Sequence, residues 1–512
     1  MDNYALTGLH YGGLMNAKRV SERAALWAPV AALTCVGLAL RIAAARGGGL
    51  WTDEAWSMLY AEDARDPFGV FFRINHDNNH HLISLWLQAV GVHASPLLAR
   101  LPAIFAGMLT IPVGALIFAR RSTVAAIAAA ALFAISPIMV TYGSEARGYA
   151  LMILAALVLL WLAMGALDGR GNRGTPWWMG LAALLGMFSH LTMLAPVGLL
   201  TIWIYLEKRS AVGSRDALPA TLKLMGPAIG ACAFALAFVF LAAKLSPLGM
   251  RLGGYRAFTF GDYSGALADL SAWTVGVPFT AQWLAPIVLL ALGAWLIVHP
   301  PQWLGQRAKL YGILILGVPA GILVERTGNA LFARYYLCSA IGLLLLAADW
   351  IGHAMTKRGL QRIVCSIACG LSLGAGIWHD RELIDSKRGE PDRALRIIAQ
   401  EEPRGAQVAF ATPWLFGPLV AAAQHADYPL SVTTGCGSAQ FLFASRKMWT
   451  KPTVMYCGRP MQAIAWSDTT PLTGDAWVLY RGGLQTAGPP VSGPPPRRGN
   501  PPPPRRAGVA QG

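Results

Sequence analysis

Two adjacent acids, Asp53 and Glu54, stand in the segment Trp51-Thr52-Asp53-Glu54-Ala55-Trp56-Ser57, directly after a long apolar run. A carboxylate so placed can take a proton from a hydroxyl or amine nucleophile. Other polar groups interrupt the apolar chain in a similar way. They are Asn75-His76-Asp77-Asn78-Asn79-His80-His81, then Tyr142-Gly143-Ser144-Glu145-Ala146-Arg147-Gly148-Tyr149, Ser189-His190, Arg326 and Arg334-Tyr335-Tyr336. Arginines hold phosphate by bidentate, charge-assisted hydrogen bonds. Asparagines and histidines orient hydroxyls or a leaving phosphate. Each cluster alone also has a plain reading: a solvated Asp-Glu loop, a Glu145–Arg147 ion pair within one helical turn, a structural His190.

The elements that must position these residues are membrane spans. The 512 residues are 55% hydrophobic and only 13% charged, about half the charged fraction of a soluble domain. Residues 26–45 form an apolar run with Arg41 as its single charge, long enough for a hydrocarbon core of ~30 Å. The basic residues Lys18, Arg19 and Arg23 precede it, so the positive-inside rule keeps the N-terminal segment 1–25 cytoplasmic and sends Asp53 outside. Residues 81–92 are too short to cross and read as an interfacial helix within a first outer loop, 46–96. The spans that follow are 97–119, 125–140, 149–167, 177–188, 191–206, 224–243, 283–298, 311–324, 335–350 and 363–378. This gives about eleven in total, with a long outer loop over 244–282. Counted this way, Arg120-Arg121, Arg170, Lys208-Arg209, Arg307 and Lys357-Arg358 all fall inside. The net charge of +16 is explained by those flanks and the tail, and binding to nucleic acid is not expected.

The expected fold class is therefore an all-α polytopic membrane protein. Its membrane domain is 26–378, followed by a small extracytoplasmic α/β domain over 379–487. In that domain 393–400 reads as helix, and 407–411 and 476–480 as strands. The Pro- and Arg-rich tail 488–512 reads as disordered. Five of the seven cysteines lie in apolar runs as small core residues, and Cys436 and Cys457 are open to pairing outside the membrane.

With this topology every unusual polar cluster emerges at the outer face, which favours a common cavity over separate loops. A phosphate at the lipid boundary implies a lipid-linked substrate whose tail stays in the bilayer. The combination suggests transfer of a sugar from a polyprenyl carrier.

The motifs then resemble a family. Trp51 to Ser57 is similar to the aspartate-bearing first outer loop of the GT-C membrane glycosyltransferases. The likeness is to family-39-like members, relatives of the dolichyl-phosphate-mannose protein mannosyltransferases that include aminoarabinose and galacturonic acid transferases. Residues 136–149 resemble their "SP…YSQEARMY" signature, Ser189-His190 the "TH" turn, and Phe332-Ala333-Arg334-Tyr335 the late "RY" motif. The likeness covers roughly residues 20–350. The "HPPLYY" segment appears as His80-His81-Leu82-Ile83-Ser84 without its prolines, and no proline follows Arg334-Tyr335.

The resemblance implies an inverting glycosyltransferase in a bacterial inner membrane, with the N-terminus cytoplasmic and the C-terminus periplasmic. It would move a sugar from a polyprenyl-phosphate donor to a lipid, glycan or protein acceptor. Asp53 is the implied catalytic carboxylate, with Glu54 sharing the role or shaping the site. His80, His81, Glu145, Arg147, His190 and Arg334 are the implied contacts to donor phosphate or sugar. A divalent metal, where one takes part, would be held by His76, Asp77 and His80. The rival readings are a transporter or lipid-linked-sugar flippase using the same cavity, and a non-catalytic partner that keeps the fold.

Overall fold

The computed structural model describes residues 5–74, 78–247, 249, 257–433 and 439–482, with side chains from residue 24 onward except Asn329. The tail 488–512 lies outside the described residues. Helices α1 (Ala5–Arg46), α2 (Thr52–Ala64), α3 (Gly69–Phe72), α4 (His81–Val90), α5 (Pro96–Phe118), α6 (Thr123–Ile135), α7 (Pro137–Tyr142) and α8 (Tyr149–Leu167) form the first half of the membrane domain. The second half holds α9 (Thr175–Ser189), α10 (Leu194–Val212), α11 (Ser214–Leu245), α12 (Phe260–Val275), α13 (Leu284–Val298), α14 (Arg307–Glu325), α15 (Leu337–Met355) and α16 (Leu360–Ser386). Among the described residues eight helices are long and apolar enough to cross a membrane, and His81–Val90, Thr123–Ile135 and Leu284–Val298 are shorter apolar helices. The chain is a multi-pass membrane protein.

Two differences from the sequence reading have physical causes. The segment 244–282 contains α12, whose N-terminal end packs through Tyr263 on Tyr336 and the Pro319 carbonyl. Its other end stacks Trp273 on His379 at 4.6 Å. Both ends therefore lie toward the end of the bundle that carries the C-terminal domain. In addition, α16 runs past Trp378 to Ser386, because nothing in 379–386 breaks a helix.

Arg41 shows how a charge is housed in the first span. The helix break at Ser136-Pro137 leaves the Phe133 carbonyl without its usual donor, since proline has no N–H. Arg41 supplies it, donating to Phe133 O at 2.9 Å and to Ala134 O at 3.2 Å. Gly107 and Gly143 leave room for the guanidinium; a Cβ at either would lie 2.7 or 2.6 Å from Arg41 Nε.

Arginines from three of the basic loops meet. At the end of the bundle away from the C-terminal domain, Arg121 and its partner Asp168 line one cavity of about 240 Å³ with Trp203 and Arg307, and Arg307 also bonds Asp349.

The C-terminal domain is a six-stranded mixed sheet with α17 (Pro391–Glu401) and α18 (Phe416–His425). Its strands are β1 (Ala406–Phe410), β2 (Leu430–Thr433), β3 (Phe441–Ser445), β4 (Thr453–Tyr456), β5 (Arg459–Trp466) and β6 (Trp477–Gly482), in the order β2-β1-β3-β6-β5-β4. β1 is parallel to β2 and β3, and the other pairs are antiparallel. The two helices bury Leu395, Ile398 and Leu419 against Val408, Phe443 and Trp477. The helix and both strands read from the sequence are present. Cys457 is disulfide-bonded, and Cys35, Cys232, Cys338, Cys365 and Cys369 are free, while Cys436 lies outside the described residues.

Candidate active site

The loop joining α1 to α2 is built around Arg100, the only charged residue in the α5 span. All its donors are engaged: two reach the carboxylate of Glu54 at 2.8 and 2.6 Å, and the others the carbonyls of Ala45, Gly47 and Gly49. Glu54 also accepts from Ala146 N at 2.6 Å and Trp51 N at 3.4 Å. Both side chains are fully buried. Burial pushes the Glu54 carboxyl up, but Arg100 more than offsets this and holds it below the ordinary range. Four donors leave Glu54 no free lone pair to offer a substrate.

Its neighbour is placed differently. Helical geometry turns successive side chains by about 100°, so Asp53 faces away from Arg100 and remains 21% exposed. Its Oδ2 accepts from Arg334 at 2.7 Å, and Arg147 stands 3.8 Å away while donating to the Asp53 carbonyl at 3.1 Å. The two arginines are almost wholly buried, and the Nε of each has no hydrogen-bond partner. Arg147 lies over Tyr149 and Arg334 over Phe332 and Tyr335, which hold the guanidinium planes by cation–π contact.

The histidines divide in the same manner. His80 bonds Ser57 Oγ at 2.9 Å and Asn79 Oδ1 at 2.8 Å. His190 stacks on Tyr149 at 4.3 Å and faces the His80 ring at 6.4 Å. Thr192 occupies its Nδ1, and its Nε2 is buried without a partner. Burial, and then the charge of Arg147 beside them, pushes both pKa values well below the usual histidine range, so both rings are neutral. His81 is not brought to this cluster. It starts α4 and turns to the opposite face, stacking on Phe71 at 5.2 Å and meeting the edge of Phe188.

Glu145 and Arg147 do not pair. Glu145 is buried 4.0 Å from Arg388, and burial, opposed by Arg388, raises it to about 7. Arg326 caps α14, exposed and apart from the cluster. His76 and Asp77 lie outside the described residues. His80 has both nitrogens engaged, and no group of three metal-ligating side chains occurs among the described residues.

Three participants escaped sequence reasoning. Arg100 carried a signal, a charge inside an apolar run. Arg388 and Asp475 carried none, because they reach the site from the turn after α16 and from the C-terminal domain, more than 240 residues away in sequence. Arg388 donates to Ala44 O and to Ser144, and Asp475 accepts from the backbone and hydroxyl of Thr52.

The arrangement presents one partly exposed carboxylate, two largely buried arginines with unused donors, and neutral imidazoles and hydroxyls around them. Such a set can hold a phosphate and accept a proton. In sequence, no protein-family model and no curated protein matches the chain. In structure it is similar to ArnT from Cupriavidus metallidurans in the apo state, at 15% identity and TM-score 0.54, over 90% of this chain and 99% of that one. It is similar to the same protein bound to undecaprenyl phosphate at 14% identity and TM-score 0.52, with the same coverage. More distant is the archaeal oligosaccharyltransferase AglB from Archaeoglobus fulgidus, at 13% identity and TM-score 0.46, over 82% of this chain and 69% of that one. The chain has the GT-C fold.

Proposed function

We propose that the chain is a membrane glycosyltransferase that moves a sugar from a polyprenyl-phosphate donor to an envelope acceptor, with inversion, at the outer face of a bacterial inner membrane. One observation carries this reading: the Asp53 carboxylate is shared between two buried arginines that each keep an unpartnered donor. A phosphate arriving beside Arg147 and Arg334 competes for them and loosens their hold on Asp53. The acceptor oxygen or amine then attacks the anomeric carbon, its proton passes to Asp53, and the bond from that carbon to the phosphate oxygen breaks. The arginines stabilise the charge growing on the departing polyprenyl phosphate. His80 and His190, held neutral, act as hydrogen-bonding groups rather than added cations. The structural neighbour bound to undecaprenyl phosphate supports this choice of donor class.

Glu54 holds the loop through Arg100. The C-terminal side of the bundle is the periplasmic side in this reading, following the positive-inside count. The test is transfer from a labelled polyprenyl-phosphate sugar in membranes. Asp53→Asn should lower transfer by about 100-fold or more at matched expression while polyprenyl phosphate still binds. Undiminished transfer by that variant would remove Asp53 from the reaction.

A further inference from the structure

The loop that carries Asp53 is held from one side by Arg100 and from the other by the C-terminal domain. Asp392 Oδ1 accepts from Gly49 N at 2.7 Å. Asp475 Oδ2 accepts from Thr52 N at 2.8 Å and from Thr52 Oγ1 at 2.6 Å. Trp56, one turn on in α2, donates to the Trp414 carbonyl at 3.1 Å and stacks on Phe416 at 5.7 Å. These contacts span 343 to 423 residues of sequence.

Asp475 acts as a cap in trans. Thr52 is the first residue of α2, and the residue before it, Trp51, gives no side-chain cap, so the first amides need outside acceptors. Glu54 serves Trp51 N and Asp475 serves Thr52 N. A carboxylate at a helix N-terminus also opposes the positive end of the helix dipole. The turn bearing Asp475 is rigid. Gly474 has φ +92° and lies against Arg388, where any Cβ would meet that backbone at 2.7 Å. Trp477 Nε1 donates to the Gly389 carbonyl at 2.6 Å. Arg388, between these glycines, is itself bonded to Ala44 and Ser144 of the membrane domain.

Resting on the reading of Asp53 above, we propose that Asp475 is a positioning residue: from the C-terminal domain it fixes the first turn of α2 and thereby the Asp53 carboxylate. A carboxylate displaced by about 1 Å from its productive place can lose roughly 100-fold in rate. The domain is then part of the active-site framework rather than an appendage that only meets acceptors.

The test uses the full chain in detergent or nanodiscs. Asp475→Ala should lower kcat by about 10- to 100-fold with the donor KM little changed. Amide exchange should accelerate over residues 49–57 while the sheet of the C-terminal domain keeps its protection. Asp475→Asn, which retains an acceptor oxygen, should recover most of the rate. Thr52→Val removes one donor and should give a smaller loss, and in Asp475→Ala it should add almost nothing. Additive losses, or unaltered exchange at 49–57 in Asp475→Ala, overturn the proposal. If Asp475→Ala does not fold, the Thr52→Val and Asp475→Asn arms decide it by the same exchange measurement. That measurement reads the anchor without transfer, so a failure of Asp53 as the base would leave this result separately legible.

Discussion

Each end of the helical bundle places two arginines on one aspartate. At the end away from the C-terminal domain, Asp168 receives Arg121 at 2.9 Å and Arg170 at 2.8 Å, with the three side chains 28–40% exposed. At the other end, Asp53 receives Arg334 and Arg147, which are only 11% and 12% exposed. Counting charges does not separate the two trios; access to water does. Water screens the first, and such surface pairs are worth about 0–1 kcal/mol. The second sits among aromatic rings and neutral histidines, where unpaired donors are costly to leave and strongly attract an anion.

The sharpest way to break this comparison is at Asp53. Asp53→Asn should reduce transfer by about 100- to 10,000-fold, read with a labelled lipid-linked sugar. Arg334→Lys comes next: a point charge loses the fork geometry, and transfer should fall by about 100-fold or more, with weaker binding of polyprenyl phosphate in a direct binding assay. Glu54→Gln tests the structural pair instead. Leaving Arg100 buried with a neutral partner should destabilise the protein by about 3–5 kcal/mol, seen as a lower melting temperature and poor recovery from membranes.

Glu145 offers a test by pH. Its folded pKa, about 7, lies above the ordinary 4.5 of an unfolded glutamate. The folded state therefore keeps a proton that the unfolded chain has already released. Stability should fall as pH rises through that window, and the penalty is complete above 7. Glu145→Gln should flatten the dependence and raise the melting temperature relative to the parent at pH 8. Asp168→Asn, the smallest effect, should shift stability by less than about 1 kcal/mol and leave transfer unchanged; a large loss of activity there would erase the distinction between the trios.

The sequence made legible whatever depends on hydropathy and local spacing. The apolar helices, the short α4, the strands at 406–410 and 477–482, and the gathering of Asp53, Arg147, His190 and Arg334 at one end all follow from it. What it hid depends on direction within an element. Asp53 and Glu54 are neighbours, as are His80 and His81, yet a single residue step sends the members of each pair to different surroundings. The helix α12 stayed hidden because Ser264, Ser271 and Thr274 dilute its buried face. Arg388 and Asp475 stayed hidden because nothing local marks a residue that will dock on another domain.

Arg41 carries a consequence for how the protein is made. Its guanidinium donates to the Gly37 carbonyl of its own helix, but its other acceptors are the carbonyls of Phe133 and Ala134, which the ribosome adds about ninety residues later. Until then the first span must hold a cation with only that one acceptor against the bilayer, a penalty of up to about 3 kcal/mol at a helix centre and less near an end. Membrane residence of that span is thus provisional during synthesis and is secured when the broken helix arrives. Nascent chains halted before residue 133 should resist alkaline extraction less well than chains halted after residue 150, and Arg41→Leu should remove the difference.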